Sequence, residues 1–351
     1  MPKNKSAKEM APRPAQPPPP PPPPPPPAPP KRAGTPSVVW VLGGLMALVL
    51  VGGLAVLMSA TTAKPITPTA TPRPTRPAIA GGTVDYCRVV PKFRETFGFG
   101  LQAVLSTAER GVMGAIMIEP GPTITTTHAY QHPTWKSGGY LGHVLFDGKG
   151  DVYTFPSPYV SLIDNPPEKQ NMIYRIDGVT GVMTPFLTLP SAALPSSQNP
   201  FGAMGLVYDC DTSSLYASSV AGSTRDAEVG RIYRIDMKTG KVVFTFDNID
   251  VFGMGIFVGP DGKRLYFGSA RTPEVYSVAV NENGDLVGDT RLELTLPDQN
   301  YKARRVIFDR AGAMQVRGYA FDFSLVVTSE RNEKIFNYVF DAPTKKWKLA
   351  S

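Results

Sequence analysis

C-terminal to residue 83 the chain carries almost no helical periodicity, because no long window keeps apolar residues at i, i+3, i+4 and i+7. Apolar residues fall instead in short runs rich in Val, Ile, Tyr and Phe, broken by Gly, Pro, Asp and Asn, the pattern of strands joined by tight turns. Four stretches share one arrangement: a small or polar start, a continuous apolar run, a turn and a second strand. They begin at Gly142 (GHVLFDGKGDVYTF), Met204 (MGLVYDCDTSSLYAS), Met254 (MGIFVGPDGKRLYFG) and Arg304 (RRVIFDRAGAMQV). The residues that end the runs, Asp147, Asp209, Gly259 and Asp309, lie 62, 50 and 50 positions apart. Third strands follow at Met172, Arg231, Glu274 and Lys334, most of them ending in an Asp- or Asn-containing turn with hairpin chemistry. A weaker unit starts at Phe97 and Val112. Four short strands repeated at this period predict an all-β fold, a β-propeller. At about 45 residues per blade six blades are expected, with five the alternative, and residues 84–93 are expected to supply a strand that closes the ring with the C-terminus.

The N-terminal part has a different pattern. Val38–Met58 is free of charge, and as a helix it is long enough to cross the roughly 30 Å hydrocarbon core. Thirty-seven residues precede it, far more than the short charged region of a cleaved signal peptide, so an uncleaved signal anchor is expected. Lys3, Lys5, Lys8, Arg13, Lys31 and Arg32 stand before the run, and only Lys64, Arg73 and Arg76 close after it. This asymmetry predicts a cytoplasmic N-terminus and an extracytoplasmic C-terminal domain at the plasma membrane. Residues 17–27 are consecutive prolines, which exclude helix and sheet and predict a polyproline II rod that can meet a cytoplasmic polyproline-binding protein. Alternating Thr and Pro over residues 61–81 predict an extended stalk. The expected organisation is a disordered Pro-rich tail at 1–36, a transmembrane helix at 37–60, a stalk at 61–83 and a propeller at 84–351.

Charge sharpens this division. Residues 1–81 hold nine of the 36 Lys and Arg but one of the 29 acidic residues, which leaves 27 basic against 28 acidic groups in the rest. A near-neutral globule argues against nucleic acid as a partner. Two cysteines exclude a Cys-rich zinc module, and Cys87 and Cys210 are a candidate disulfide in an oxidising compartment. No nucleophile elbow, Walker loop or dinucleotide fingerprint is present. His128 and His132 have the spacing of helical zinc ligands, but they lie in TTTHAYQHPTW, which reads as loop or strand.

The stretch FGMGIFVGPDGKRLYF from Phe252 to Phe267 resembles the blade motif of gluconolactonase and strictosidine-synthase-like propellers, and the YRID-containing strands resemble NHL and YVTN repeats. That resemblance implies a divalent metal, usually calcium, held in the axial channel by Glu, Asn and Asp at the starts of inner strands. Glu119, Asn199 and Asp250 are the candidates here. Where the family has an axial Asn two residues before the inner strand, this chain has Phe252-Gly253. His143, Arg304 and Arg305 occupy matching positions at the mouths of inner strands, and paired guanidiniums suit a carboxylate or phosphate. The candidate funnel residues are therefore His143, Asn199, Asp250, Arg304 and Arg305. The expected function is a membrane-anchored binding module for a protein or small anionic ligand, without a required cofactor. A calcium-dependent lactonase is the alternative.

Overall fold

The computed structural model describes residues 82–107, 112–121, 127–157, 161–196, 198–323 and 333–350. The expected membrane span, the polyproline tail and the stalk up to residue 81 lie outside the described residues. No described helix is long and apolar enough to cross a membrane.

The strands form five antiparallel sheets, and within each blade they follow one another in chain order. The first blade has three strands, β2 (Val104–Ser106), β3 (Ile116–Pro120) and β4 (Thr127–Tyr130), and the other four blades have four each. The second blade is β5 (Leu145–Phe146), β6 (Val152–Thr154), β7 (Met172–Ile176) and β8 (Met183–Thr188). The third is β9 (Ala203–Asp209), β10 (Ser214–Ser219), β11 (Arg231–Asp236) and β12 (Lys241–Asp247). The fourth is β13 (Val251–Gly259), β14 (Gly262–Ser269), β15 (Glu274–Val280) and β16 (Leu286–Thr295). The fifth is β17 (Tyr301–Phe308), β18 (Met314–Ala320), β19 (Lys334–Asp341) and β20 (Lys346–Leu349). The inner strands β5, β9, β13 and β17 are spatial neighbours in that order.

Five is the lower of the two expected blade counts. The inner strands of the last three blades start at Ala203, Val251 and Tyr301, about 50 residues apart, so each blade uses more chain than the 45 residues assumed. Residues 84–103 build no blade strand; Phe93–Thr96 form one helical turn instead.

Inner strands read as unbroken apolar runs because they are covered on both faces. Every residue of β9 is buried, as are the first seven of β13. One apolar cluster joins Leu206 and Tyr208 of the third blade to Leu145, Tyr153 and Ile173 of the second. Another joins Phe257 and Tyr266 of the fourth blade to Val306, Phe308, Val316 and Trp347 of the fifth. Each such buried side chain contributes roughly 1.5–3 kcal/mol. Backbones close up where the fourth blade meets the fifth. A Cβ on Gly253 would lie 2.1 Å from the Arg304 carbonyl oxygen, and one on Gly255 would lie 2.3 Å from that of Val306. Only glycine permits that approach.

The N-terminal segment does not close the ring as expected. It crosses one end of the channel. In β1 (Gly82–Thr83), Gly82 and Thr83 pair with Val258 and Phe257 on the axial edge of β13. The Val84 carbonyl then accepts from Cys210 N just beyond β9, Val89 N donates to Asp147 O just beyond β5, and Phe93 N donates to Gly178 O in the turn after β7. Val84 is buried in the core shared by the third and fourth blades, which fixes the path. Cys87 and Cys210 form a disulfide with Cα atoms 5.7 Å apart. The bridge spans 123 positions in sequence, so it cross-links the crossing segment to a blade far along the chain. A Cys87→Ser, Cys210→Ser variant is expected to unfold in guanidinium chloride with about 2–5 kcal/mol less stability than the parent. An unchanged midpoint would show that the segment holds its place without the bridge.

Candidate functional site

A cavity of about 220 Å³ lies on the propeller axis. Its walls are His143–Leu145 at the start of β5 together with Leu206–Tyr208, Met254–Ile256 and Arg304–Phe308 of the next three inner strands, and its remaining side is the crossing segment through Thr83, Val84, Asp85 and Arg88.

The polar groups in this cavity are mostly cationic. Arg88, Arg304 and Arg305 line it, and Asp85 is the only carboxylate among the described lining residues. Asp85 is paired with Arg88 at 3.2 Å. Arg304 lies over the Tyr319 ring, 4.8 Å from its centroid, and 6.0 Å from that of Phe252. No ion pair is formed by Arg305 among the described residues, since the nearby Glu333 pairs with Arg317 at 3.3 Å. Burial, with Arg304 and Arg317 beside it, lowers the Arg305 guanidinium to about 10. A cation disfavoured that far still carries its charge at neutral pH.

His143 completes the cavity. Its Nε2 lies 3.1 Å from the Leu206 carbonyl oxygen of the next inner strand, and its ring packs edge-on against Phe155. Burial first, then the charges of Arg305, Arg304 and Arg88, push its pKa down to about 3. The imidazole is therefore neutral at pH 7 and donates to Leu206, since a carbonyl only accepts. His143, Arg304 and Arg305 all line this cavity.

Asn199 and Asp250 lie elsewhere. The Asn199 amide donates to the carbonyls of Val220 and Ser223, both at 2.8 Å, while its oxygen accepts from Phe201 N. Asp250 is buried, accepts from the Ser223 hydroxyl and Gly230 N, and pairs with Arg271 at 2.7 Å. Desolvation raises its pKa, and Ser223 and Arg271 oppose that rise. Both residues thus tie loops together around Ser223, and neither lines the axial cavity. Glu119 is on β3 of the first blade, where its carboxylate accepts from Gly100 N. The three proposed metal ligands do not converge, and no group of three or more His, Cys, Asp or Glu able to hold a metal occurs among the described residues. Aromatic side chains gather at the starts of the inner strands instead. Phe201, Phe252 and Phe321 are buried there, with Phe321 4.8 Å from Phe252 and 5.0 Å from Phe201 between ring centroids. A set of rings offers no oxygen ligand to calcium.

His128 and His132 are not on a helix. His128 on β4 stacks on Phe99, and His132 caps the 3-10 turn at Pro133–Lys136 by accepting from Thr134 N. The contributions of Asp85, Arg88 and Arg271 were not anticipated. Arg88 is adjacent to Cys87, and only the path of residues 82–91 across the channel shows that it points inward.

No protein-family model and no curated protein matches the chain. Solved structures do. A 6-phosphogluconolactonase candidate from Bacteroides uniformis is 11% identical over 70% of this chain and 66% of its own, with a TM-score of 0.42. A gluconolactonase from Xanthomonas campestris is 15% identical over 58% of this chain and 65% of its own, with a TM-score of 0.38. The Dos1 propeller is 12% identical over 71% of this chain and 56% of its own, with a TM-score of 0.39. The chain spans less than two thirds of each of these three. No activity passes to this chain from likenesses this weak.

The depressed His143 pKa has a pH consequence. In the unfolded chain this residue protonates near 6.5, and in the folded protein only near 3. The stability it contributes is complete above about pH 6.5 and is lost as the pH falls from there toward 3. His143→Gln is expected to flatten the decline in stability between pH 6.5 and 4. In the parent protein the His143 ring signals should stay fixed from pH 8 to 5, and a midpoint near 6.5 would refute this assignment.

Proposed function

We propose that this protein is a membrane-anchored, extracytoplasmic β-propeller that binds a small anionic ligand in its axial cavity and performs no metal-dependent chemistry. The observation that carries the reading is a half-buried cation that forms no ion pair among the described residues. Arg305 faces a cavity of about 220 Å³ with Arg304 and Arg88 beside it and no ion pair of its own among the described residues. A partly desolvated guanidinium gains from a charged partner, and an oxyanion with two acceptor oxygens is the group it recognises best. Neutral His143 adds a ring that an incoming anion would stabilise in its protonated form. Support for the anchor is the charge-free run Val38–Met58 with its excess of Lys and Arg on the N-terminal side. The phenylalanines at the starts of the inner strands speak against the calcium-dependent lactonase reading.

Thermal unfolding of the full chain in detergent, with citrate, phosphate or calcium added, tests the proposal. Citrate or phosphate is expected to raise the midpoint in a dose-dependent way, reaching about 2.7 kcal/mol of stabilisation at a hundredfold excess over Kd. Arg305→Gln should abolish that response and leave the fold intact. No anion response, or one that survives Arg305→Gln, would defeat the proposal. Stabilisation by calcium that disappears in Asp250→Asn would restore the lactonase reading.

A further inference from the structure

The residue two positions after Arg305 is unusually open for an inner strand. The positions that match Ile307 in the repeat are Leu145, Val207 and Phe257, and they are 6%, 6% and 8% exposed. Ile307 is 39% exposed, and it lines the axial cavity. An apolar side chain left open in a cavity is surface that a ligand can cover. Arg305 and Ile307 share one face of β17, because alternate residues of a strand point the same way and the two pair in register with Arg317 and Gln315. Val306 and Phe308, on the other face, are buried with Phe257 and Tyr266 of the fourth blade. A cation and an open aliphatic side chain therefore stand side by side, about 7 Å apart along the strand.

The rest of the lining has the same two-part character. Val144, Val207, Met254 and Ile256 supply aliphatic wall. Neutral polar side chains are few among the described lining residues: Thr83, Tyr208 and His143. The Tyr208 hydroxyl is taken by Ser213 and the Gly148 amide, and His143 Nε2 by the Leu206 carbonyl. Thr83 and one ring nitrogen of His143 remain for the hydroxyl groups of a ligand. A sugar acid buried here would leave most of its hydroxyls without a side-chain partner, and each such hydroxyl weakens binding by roughly tenfold. An inorganic anion would leave the aliphatic wall uncovered. Arg88 is paired with Asp85, and Arg304 is stacked on Tyr319. Arg305 is the guanidinium with neither contact among the described residues, and one carboxylate matches it.

We infer that the axial site selects a small monocarboxylate with a branched apolar body, an inference that rests on the anion-site reading above and narrows it. The carboxylate pairs with Arg305 and the alkyl part covers Ile307. Arg305 sets the requirement for charge, and Ile307 sets the choice among anions. Each methylene buried against such a wall adds a factor of about four in affinity.

Thermal-unfolding titrations of the full chain in detergent test this with isovalerate, acetate, gluconate and phosphate, and with isovaleramide as the uncharged match. Isovalerate extends acetate by a branched alkyl group and should bind about tenfold more tightly or better. It should also bind more tightly than gluconate or phosphate, and isovaleramide should give no response. Ile307→Ser should narrow the isovalerate-to-acetate ratio severalfold. Ile307→Ala should narrow it in the same direction, should the serine variant fail to fold. Equal binding of isovalerate and acetate, tighter binding of gluconate or phosphate, or a ratio unchanged by the Ile307 substitution would overturn this specificity and leave the anion site standing. Isovaleramide matching isovalerate, or silence of every anion including citrate, would remove the anion site and the specificity with it.

Discussion

A twisted sheet that buries both faces needs a neighbour on each side, and this requirement shapes most of the molecule. It explains why β9 from Ala203 to Tyr208 and the seven buried residues of β13 are apolar or glycine, where a half-solvated strand would alternate. It also explains why each apolar cluster draws side chains from adjoining blades. Glycines at 253 and 255 serve the same requirement by letting the backbones of the fourth and fifth blades approach. Where the requirement lapses, the pattern changes. The strands of the fifth blade alternate, with Ile335, Asn337 and Val339 on one face and Phe336, Tyr338 and Phe340 on the other.

The two ends of the channel are treated differently. At the starts of the inner strands the rings of Phe201, Phe252 and Phe321 meet, an arrangement with large apolar area and no ligand for a cation. At the other end residues 82–91 cross beneath β13, β9 and β5 and are pinned by the Cys87–Cys210 bridge. Between them lie three guanidiniums and one carboxylate. Arg304 offsets part of its desolvation by stacking on Tyr319, and Arg88 by pairing with Asp85. Arg305 has neither kind of contact among the described residues, and that difference sets it apart from Arg304 and Arg88.

The repeat was legible in the sequence because its signals are local. Apolar runs, turn residues and the four third strands starting at Met172, Arg231, Glu274 and Lys334 fall where β7, β11, β15 and β19 begin. The alignment of His143 with Arg305 followed from the same register. What could not be read depends on long-range path. Residues 82–91 carry an ordinary strand-like pattern, and nothing local tells a ring-closing strand from a segment that crosses the channel. Arg88 was therefore missed, although the Cys87–Cys210 pairing was a candidate from the sequence and is present. Asp250 and Asn199 illustrate a second limit. Asp250 sits one residue and Asn199 four residues before an inner strand, near where an axial ligand is expected, yet Ser223, Gly230 and Arg271 take up the Asp250 carboxylate and Val220, Ser223 and Phe201 take up the Asn199 amide. Position along the chain does not reveal which partner a side chain turns toward.

Electrostatics separates this domain from its flank more firmly than composition does. The high overall pI arises before residue 82, and the remainder is close to neutral. A near-neutral domain exerts little long-range pull on an anion at physiological ionic strength, where screening acts within about 8 Å. In the proposed reading, recognition rests on local placement. The cations that matter are those withdrawn from water, beside Phe252, Tyr319 and His143, where the effective dielectric is lower and a charge interacts more strongly with what enters. The same placement holds His143 neutral. An anion entering the cavity would offset the three guanidinium charges, favour the imidazolium, and couple binding to proton uptake, so affinity is set by the interior of the channel and not by the net charge of the surface.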